Sequence, residues 1–584
     1  MIAPKNDFLP VNAGEAAARG WDGVDIVFVS GDAYVDHPSF AAAMISRALE
    51  AAGFRVAVLA QPDWRSCAPW RQFGRPRLFF AVGAGNVDSM INRYTANRKI
   101  RGNDDYSPGG RAGLRPDRAS MVYSQRAKEA FPGIPVILGG VEASMRRLAH
   151  YDYWSDTVKR SVLLDAKADL LVYGMGEEAI VEIARAAQDG HVPANLRGTV
   201  SAGAPPPGAV LLPSCEEVRA DKAAFLRAAT ITADNLNPYN AAPLAQKHGD
   251  RFIVQNPPRL PLASAEMDRL YALPFKRAPH PSYREKIPAW EMIRDSITSH
   301  RGCYGGCSFC SLALHQGKII QSRSEDSIAA EAQKLAAVPG FRGTVSDIGG
   351  PSANMYGTGC KNSDARQKCR RPSCLHPEIC ANLEADCSAA LRMLERAAQA
   401  KGVKKVVISS GVRMDLALRQ RGYIARLAAR HTGGQLSVAP EHVCPNVLAL
   451  MRKPPSEVFC AFAEEFFRAS QKAGLEQYIV PYFISAFPGS DLNDMVELAL
   501  FLKKNGLRPR QVNDFIPAPM EWASAMYHTG LDPATGKPVH VATTETERKL
   551  QRALLQYFKP ENRPLVLAAL KKARRMDAAK FLLS

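Results

Sequence analysis

The feature that most constrains this chain is a short loop with three cysteines, Cys303, Cys307 and Cys310, in the sequence HRGCYGGCSFC over residues 300–310. Thiolates are iron ligands, and the C-x3-C-x2-C spacing lets one loop surround one cluster if the intervening residues turn freely, as glycines do. A 4Fe-4S centre that only carries electrons has four cysteine ligands. Three cysteines leave one iron open to a small molecule. The alternative is zinc, but zinc sites favour C-x2-C pairs with a second pair nearby. We therefore expect a 4Fe-4S cluster here.

The loop resembles the signature of the radical SAM superfamily, in which an aromatic residue, here Phe309, stands just before the last cysteine. The resemblance implies that the open iron binds S-adenosylmethionine (SAM) and that the reduced cluster cleaves it to a 5'-deoxyadenosyl radical. It also implies an electron donor such as flavodoxin or ferredoxin. In such an enzyme the cofactor supplies the chemistry, while the protein supplies placement and exclusion of water.

Composition narrows the class of protein. A chain of 584 residues has room for about three or four domains. No apolar run approaches the ~18 residues of a membrane span, and the first residues lack the pattern of a signal peptide, so we expect a cytoplasmic protein with no membrane partner. Twelve cysteines, most of them in one third of the chain, fit metal ligands better than disulfides in that compartment. The net charge of +18 favours a polyanion such as RNA, although an arginine-rich solvated surface gives the same value.

Residues 1–200 alternate between buried strand and helix patterns, which predicts a doubly wound α/β domain with a largely parallel sheet. The architecture resembles the cobalamin-binding domain that precedes many radical SAM barrels. The sequence departs from that domain's D-x-H-x-x-G signature, because Asp36 and His37 are adjacent and the later glycine is missing. Cobalamin is therefore not expected, and we expect Asp36 and His37 to lock the loop before a helix that starts near Ser39.

Two further segments accompany this domain. The loop from Arg98 to Arg118 is basic and too long for a mere connector, so it either holds a phosphate-bearing substrate or is tied down by Arg–Asp pairs. Residues 201–290 read as a linker or connecting segment, because a proline-rich breaker cluster interrupts the pattern, with a candidate helix over residues 224–235 and a short strand over residues 251–255.

Residues 291–525 predict a barrel. Strand patterns separated by helical periodicity occur over residues 296–300, 344–348, 404–409, 435–439, 477–487 and 511–516. Six such units match the partial (β/α)6 barrel of radical SAM enzymes, in which the loops at the strand ends carry the chemistry. The resemblance implies that Gly349 and Gly350 hold the methionyl amino group through their backbone, although Pro351 replaces the Glu of the family motif. It implies that Ser410, Arg413 and Glu441 contact the ribose and the methionyl carboxylate, for which the arginine fork is suited.

An insertion over residues 351–390 carries a second group of cysteines, Cys360, Cys369, Cys374 and Cys380, with Cys387 and His376 as spare ligands. Because this segment is polar, it has few apolar residues with which to build a core. Metal coordination would be the simplest way to order it. Its spacings fit neither standard zinc pattern, and both zinc and an auxiliary iron-sulfur cluster remain open.

Across nearly its whole length the chain resembles the YgiQ-type radical SAM proteins, a family of uncharacterised activity. The matching stretches include SGDAYVDHPSF, SHRGCYGGCSFC, DIGGPSANMYG, APEH and PYFISAFPG. We expect residues 526–584 to form a helical C-terminal extension. The predicted function is SAM cleavage in the modification of RNA or ribonucleoprotein; the alternatives are a small phosphorylated metabolite as substrate, or a non-catalytic metal-bearing protein that binds nucleic acid or transfers electrons.

Overall fold

The computed structural model, which describes residues 8–584, divides the chain into two units. The first unit runs to Arg294 and also includes residues 314–317 and 518–520. The second comprises residues 295–313, 318–517 and 521–584. Within residues 8–584, no helix has both the length and the apolar character that crossing a membrane requires.

The first unit contains thirteen strands and eleven α-helices among its described residues. The strands are β1 (Ile26–Ser30), β2 (Val35–Asp36), β3 (Val56–Ala60), β4 (Phe79–Gly83), β5 (Val136–Gly139), β6 (His150–Asp152), β7 (Thr157–Lys159), β8 (Leu170–Val172), β9 (Thr199–Ala202), β10 (Val210–Leu212), β11 (Leu244–His248), β12 (Arg251–Gln255) and β13 (Ala278–Pro279). The helices are α1 (Ala13–Ala18), α2 (Ala41–Ala51), α3 (Ser89–Arg93), α4 (Ala119–Ala130), α5 (Gly140–Ser144), α6 (Val162–Asp165), α7 (Glu177–Gln188), α8 (Cys215–Ala220), α9 (Lys222–Asp234), α10 (Ser264–Tyr271) and α11 (Pro288–Ile293).

Nine of these strands form one sheet in the order β10-β11-β12-β9-β8-β5-β4-β1-β3. The half from β3 to β8 is parallel, as the alternation of strands and helices predicts. Alternate residues of β1 enter opposite cores, Val27 and Val29 on one face and Ile26 and Phe28 on the other, because side chains along a strand alternate. Helices therefore cover both faces, and the predicted doubly wound fold is confirmed.

The segment over residues 201–290 is more than a connector. It supplies β10, β11 and β12 to this same sheet, and β12 pairs antiparallel with both β9 and β11. The proline-rich stretch that suggested a linker lies between β9 and β10, where the chain turns. The sequence predicts one of these strands, β12 over Arg251–Gln255, and that prediction is confirmed. The other two, β10 and β11, lie between breakers and carry too little periodicity to be recognised.

The structure also decides between the two readings of the basic loop from Arg98 to Arg118. Its arginines are engaged within the first unit by acidic side chains, an aromatic ring or a backbone carbonyl. These contacts are Arg98 over the ring of Tyr153, Arg101 to the Tyr94 carbonyl, Arg111 to Glu285, Arg115 to Asp32 and Asp104, and Arg118 to Asp152. The pairing accounts for the basic composition without a phosphate.

The loop before α2 is held as expected. The Asp36 carboxylate binds Arg47, and His37 Nδ1 accepts a hydrogen bond from the Ser39 N–H at 3.1 Å. Both Asp36 and His37 are buried. These contacts give the two residues a structural role.

The second unit continues the numbering. Its strands are β14 (Ser296–Thr298), β15 (His300–Arg301), β16 (Gln321–Ser322), β17 (Thr344–Val345), β18 (Asp347–Gly349), β19 (Gly359–Cys360), β20 (Leu383–Glu384), β21 (Lys405–Val406), β22 (Gln435–Glu441), β23 (Tyr478–Ser485) and β24 (Asn513–Asp514). Its helices are α13 (Glu325–Ala336), α14 (Ser363–Lys368), α15 (Ser388–Ala398), α16 (Met414–Ala417), α17 (Tyr423–Arg426), α18 (Pro445–Met451), α19 (Ser456–Lys472), α20 (Leu492–Lys504), α21 (Trp522–Thr529), α22 (Glu545–Leu555), α23 (Arg563–Lys572) and α24 (Ala579–Leu583); α12 (Leu312–Gln316) spans the division between the units.

The strands of the predicted barrel occur at all six expected positions. β14 pairs with β18, β17 with β21, β22 with β23 and β23 with β24, and every one of these pairs is parallel. Chain neighbours are thus also sheet neighbours, as in a (β/α) barrel with helices as connections. In the C-terminal extension, α22 and α23 bury Leu554 and Leu570 in one core with Leu498 of α20.

Candidate functional site

The three-cysteine loop follows β15 in the second unit. Gly302 and Gly306 have φ values of +88° and +62°, which favour glycine. A Cβ on Gly306 would also stand 2.3 Å from the carbonyl oxygen of Pro372. The loop therefore folds tightly because two glycines permit its turns and one of them lets the cysteine-rich insertion approach.

The three cysteines are half-buried, and their thiols lie within electrostatic reach of one another. Burial raises the pKa of Cys303 and of Cys310, and the charge of Cys307 raises both further. The Gly305 N–H donates to Cys303 Sγ at 3.4 Å, and Arg413 Nη1 donates to Cys307 Sγ at 3.5 Å. Donors aimed at sulfur favour the thiolate that binds iron. The loop thus has the donor set that an iron-sulfur cluster needs.

Within residues 8–584, no three His, Cys, Asp or Glu side chains are arranged to hold a metal ion as they stand. Thiols around one zinc ion lie about 3.8 Å apart, because each Zn–S bond is about 2.3 Å. A cluster of several irons and sulfides separates its thiolates more widely, so cysteines that suit a cluster need not converge on one point.

Phe309, which precedes the last cysteine of the loop, is held by an aromatic contact. Its ring packs edge-on against Phe487 at a centroid distance of 6.0 Å, and Phe487 packs in the same way on Phe515 at 5.6 Å. Next to it, the Ser308 carbonyl accepts the Ala523 N–H at 2.8 Å. The aromatic residue of the motif is therefore an anchor between the loop and the residues after β23.

Gly349 and Gly350 lie where β18 ends beside β14. A Cβ on Gly349 would stand 2.1 Å from Ser410 Oγ, and one on Gly350 would stand 2.6 Å from the His300 carbonyl oxygen. Asp347 orders this edge, since its carboxylate accepts the Ser410 N–H at 3.0 Å and also the Ser410 hydroxyl. The two glycines are thus required for space, and Ser410 is held against them.

Arg413 is almost fully buried and is held by Asp415. Arg413 Nε donates to Asp415 Oδ1 at 3.1 Å and Nη2 donates to Oδ2 at 2.5 Å. Asp415 therefore occupies the bidentate fork that the resemblance assigned to a methionyl carboxylate, while Nη1 faces the sulfur of Cys307. The structure places Arg413 at the predicted site with an internal partner.

Glu441 and Lys453 complete the site. Glu441 ends β22 with φ of +70°, a strained conformation for this residue, and burial raises its pKa. The charge of Lys453 acts on Glu441, on Asp415 and on the thiol of Cys303. Lys453 is 8% exposed, and its ammonium makes no ion pair or hydrogen bond with any other described residue. A buried cation of this kind is a candidate site for an anion.

Two buried histidines support the strand ends. His300 Nδ1 lies 2.8 Å from Ser299 Oγ and its Nε2 3.1 Å from the Ser352 carbonyl oxygen, and burial lowers its pKa to about 4. His442 Nδ1 accepts the Cys444 N–H at 3.1 Å, and burial lowers its pKa to about 3. Both rings are therefore neutral near pH 7 and act as fixed hydrogen-bonding groups.

Sequence reasoning missed three residues of the site, Asp347, Asp415 and Lys453. Asp347 opens the glycine motif, and Asp415 follows Arg413 by two residues, so nearness to a predicted residue was the available signal. Lys453 precedes Pro454 and Pro455 at the end of a helix, and a lysine followed by prolines is an ordinary helix-termination signal. No local pattern announces its burial.

Family comparisons agree with this geometry. Residues 297–502 match the family described as the radical SAM superfamily, and residues 8–296 match its radical SAM N-terminal family. Residues 510–581 match a domain of unknown function, DUF3362. The chain is therefore a radical SAM protein.

The relatives specify the family further. The chain is 54% identical over 583 residues to a UPF0313 protein of Geobacter sulfurreducens, a match covering 99% of this chain and 96% of the relative. It is 46% identical to the UPF0313 protein YgiQ of Escherichia coli K12, over 96% of this chain and 85% of that protein. The chain belongs to the UPF0313, or YgiQ, family.

Two solved structures are similar at a lower level. One is TsrM from Kitasatospora setae, a radical S-adenosylmethionine methyltransferase solved with tryptophan and a SAM analogue, at 16% identity and a TM-score of 0.47, covering 85% of this chain and 75% of TsrM. The other is the cobalamin-dependent S-adenosylmethionine radical enzyme OxsB, at 9% identity and a TM-score of 0.48, covering 96% of this chain and 63% of OxsB. Likenesses at this level carry no argument about the site.

Proposed function

We propose that this protein is an enzyme that binds a 4Fe-4S cluster through Cys303, Cys307 and Cys310 and uses it to cleave SAM reductively. The observation that carries the proposal is the half-buried group of three thiols with N–H and guanidinium donors on two of its sulfurs. When bound, the cluster and SAM supply the electron transfer and C–S bond cleavage that give a 5'-deoxyadenosyl radical.

The chain's own residues then have three tasks. Gly349 and Gly350 would hold the methionyl amino group through backbone groups at the end of β18, where close packing on Ser410 and His300 fixes the backbone. Asp347 holds Ser410 beside them, in reach of a ribose hydroxyl. Phe309 fixes the direction of the last cysteine and, with Phe487, excludes water from its side of the loop.

The methionyl carboxylate is assigned to Lys453. Arg413 already gives its fork to Asp415, so it is better placed to stabilise the charge on Cys307 than to bind a ligand. Lys453 is buried near Cys303 and, among residues 8–584, its ammonium makes no hydrogen bond or close ion pair, although Glu441 and Asp415 lie within its electrostatic reach. A carboxylate beside it would satisfy a charge that burial otherwise penalises.

For the radical's target, the structure gives RNA no advantage over a small metabolite. The Arg98–Arg118 loop is engaged by internal partners, and Arg371 in the insertion donates to the carbonyl oxygens of Ser373, His376 and Glu378. Mass spectrometry of RNA nucleosides and of metabolites, from cells with and without the gene, separates the two. A modified nucleoside that is missing from cells without the gene indicates an RNA substrate. A metabolite that accumulates in those cells while their RNA is unchanged indicates a small-molecule substrate.

The test of SAM cleavage is direct. The protein is reconstituted anaerobically with iron and sulfide, reduced with dithionite and given SAM, and 5'-deoxyadenosine is measured by mass spectrometry. We expect product from the wild type and from Cys460→Ala, which changes an exposed cysteine, and none from Cys307→Ala. A wild-type protein with a full cluster that forms no 5'-deoxyadenosine would favour the non-catalytic alternative.

A further inference from the structure

The cysteine-rich insertion brings three of its cysteines together through its backbone. Cys360 lies in β19 and pairs with Leu383 of β20. The Leu383 N–H donates to the Cys380 carbonyl at 2.9 Å, and the Cys380 N–H donates to the Cys374 carbonyl at 2.8 Å. One continuous series of backbone contacts therefore connects Cys360, Cys380 and Cys374, although twenty residues separate the first from the second.

Lys318 brings the fourth cysteine to the same place. Its ammonium lies 3.8 Å from Cys369 Sγ and donates to the Arg371 carbonyl oxygen at 3.0 Å. The same cation acts on the thiol of Cys374, as do the charges of Cys369, Cys380 and Cys360. The thiols of Cys360, Cys369 and Cys380 and the ammonium of Lys318 are thus all within electrostatic reach of Cys374.

These thiols differ from the cysteines that serve as small core residues. Cys215, Cys387 and Cys444 are buried, whereas all four cysteines of the group keep partial exposure. Cys387 is a useful contrast because it lies in the same insertion yet packs into a separate core with Ala390 and Met393, and no other thiol affects it. Cys387 is therefore outside the group.

The group is also built against the first cysteine loop. The Cys374 N–H donates to the Tyr304 carbonyl at 3.0 Å, and Ser373 Oγ donates to the Gly305 carbonyl at 2.7 Å. Tyr304 is buried, and both Cys303 and Cys374 act on its hydroxyl. One aromatic side chain thus separates the two sets of thiols.

We propose that Cys360, Cys369, Cys374 and Cys380 bind a second metal centre through their thiolates, distinct from the centre at Cys303, Cys307 and Cys310. Thiolate ligands suit zinc or an iron-sulfur cluster. Metal ligation would also stabilise the fold of the insertion, because ligation is then part of its folding free energy. The proposal does not depend on SAM cleavage.

The experiment removes the first centre and asks what metal remains. The full-length Cys303→Ala, Cys307→Ala, Cys310→Ala protein is purified anaerobically, treated with EDTA, and analysed for iron, acid-labile sulfide and zinc. We expect either iron with sulfide or one zinc per chain, and this distinguishes the two kinds of centre. A folded triple variant, judged by circular dichroism, that holds neither metal overturns the proposal.

Two further substitutions in that background define the ligands. Cys374→Ala is expected to remove most of the remaining metal, while the matched control Cys387→Ala retains it. Equal loss in both would overturn the assigned ligand set. If the triple variant fails to fold, the reciprocal protein with Cys360, Cys369, Cys374 and Cys380 replaced by Ala is compared with wild type. Unchanged metal content per chain in that protein then refutes the second centre.

Discussion

Replacing Lys453 with methionine should weaken SAM binding while leaving the cluster in place. Methionine keeps the apolar stem that packs in the site and removes only the ammonium. A hydrogen bond to a charged group contributes about 1.5–3 kcal/mol, and each 1.4 kcal/mol is about tenfold in affinity. We therefore expect the dissociation constant of SAM to rise by about 10- to 150-fold.

The assay is equilibrium dialysis of labelled SAM against the anaerobically reconstituted protein, with iron and sulfide measured on the same samples. The metal content matters because the charge of Lys453 also acts on Cys303. If Lys453 only supported the cluster, Lys453→Met would lower the iron content, but the affinity for SAM of fully loaded protein would not change. Lys472→Met, an exposed lysine in the last turn of α19, is the matched control and should change neither quantity.

A SAM analogue without the carboxylate isolates the proposed contact. The wild type should bind SAM more tightly than this analogue, and Lys453→Met should lose most of that difference. The two proteins and two ligands form a double-mutant cycle, in which each partner of the proposed contact is removed in turn. Full cluster content with SAM binding within twofold of wild type in Lys453→Met would refute the assignment.

Three other predictions concern the supports of the site. Gly306→Ala should lower the iron content after reconstitution several-fold, because the added Cβ would stand 2.3 Å from a carbonyl oxygen of the insertion. Asp415→Asn leaves Arg413 as a buried unpaired charge and should cost about 3–5 kcal/mol in urea unfolding, against less than about 1 kcal/mol for Asp326→Asn in a surface pair. Burial lowers the pKa of His442 to about 3 from its ordinary 6.5, so the unfolded chain binds the extra proton and stability falls as pH drops below 6.5. Between pH 7.5 and 5 this is about 2 kcal/mol; the melting temperature of His442→Asn should therefore fall less than that of wild type over this range.

Local pattern was sufficient for much of this molecule. The alternation of buried strands and helices predicted the parallel half of the first sheet, and the six strand positions of the second unit occur where expected. Such elements are visible because burial imposes a period on the residues of the element itself. The strand β12 was also predicted, over Arg251–Gln255, but β10 and β11 were not, and the pairing of all three depends on partners far along the chain.

The candidate site divides in the same way. Cys303, Cys307 and Cys310 are close in sequence, so their spacing alone predicts that they act together. Lys453 lies more than 140 residues away and reaches the site only through the packing of β22 and α18. Its surroundings in the sequence are ordinary and do not indicate a buried cation. Only the folded chain shows that no carboxylate of residues 8–584 forms a close ion pair with it.

The pair Gly349 and Gly350 shows that a motif can have a packing reason and a binding reason together. Neither glycine has positive φ, so backbone conformation does not demand them. Space does, because Ser410 and His300 stand where side chains would begin. Any larger residue would push Ser410 away from Asp347 and His300 away from its hydrogen bond to the Ser352 carbonyl. The same packing fixes the backbone at the end of β18, and this does not require the Glu that Pro351 replaces. The loss of that Glu is therefore compatible with a site in which backbone groups hold the methionyl amino group.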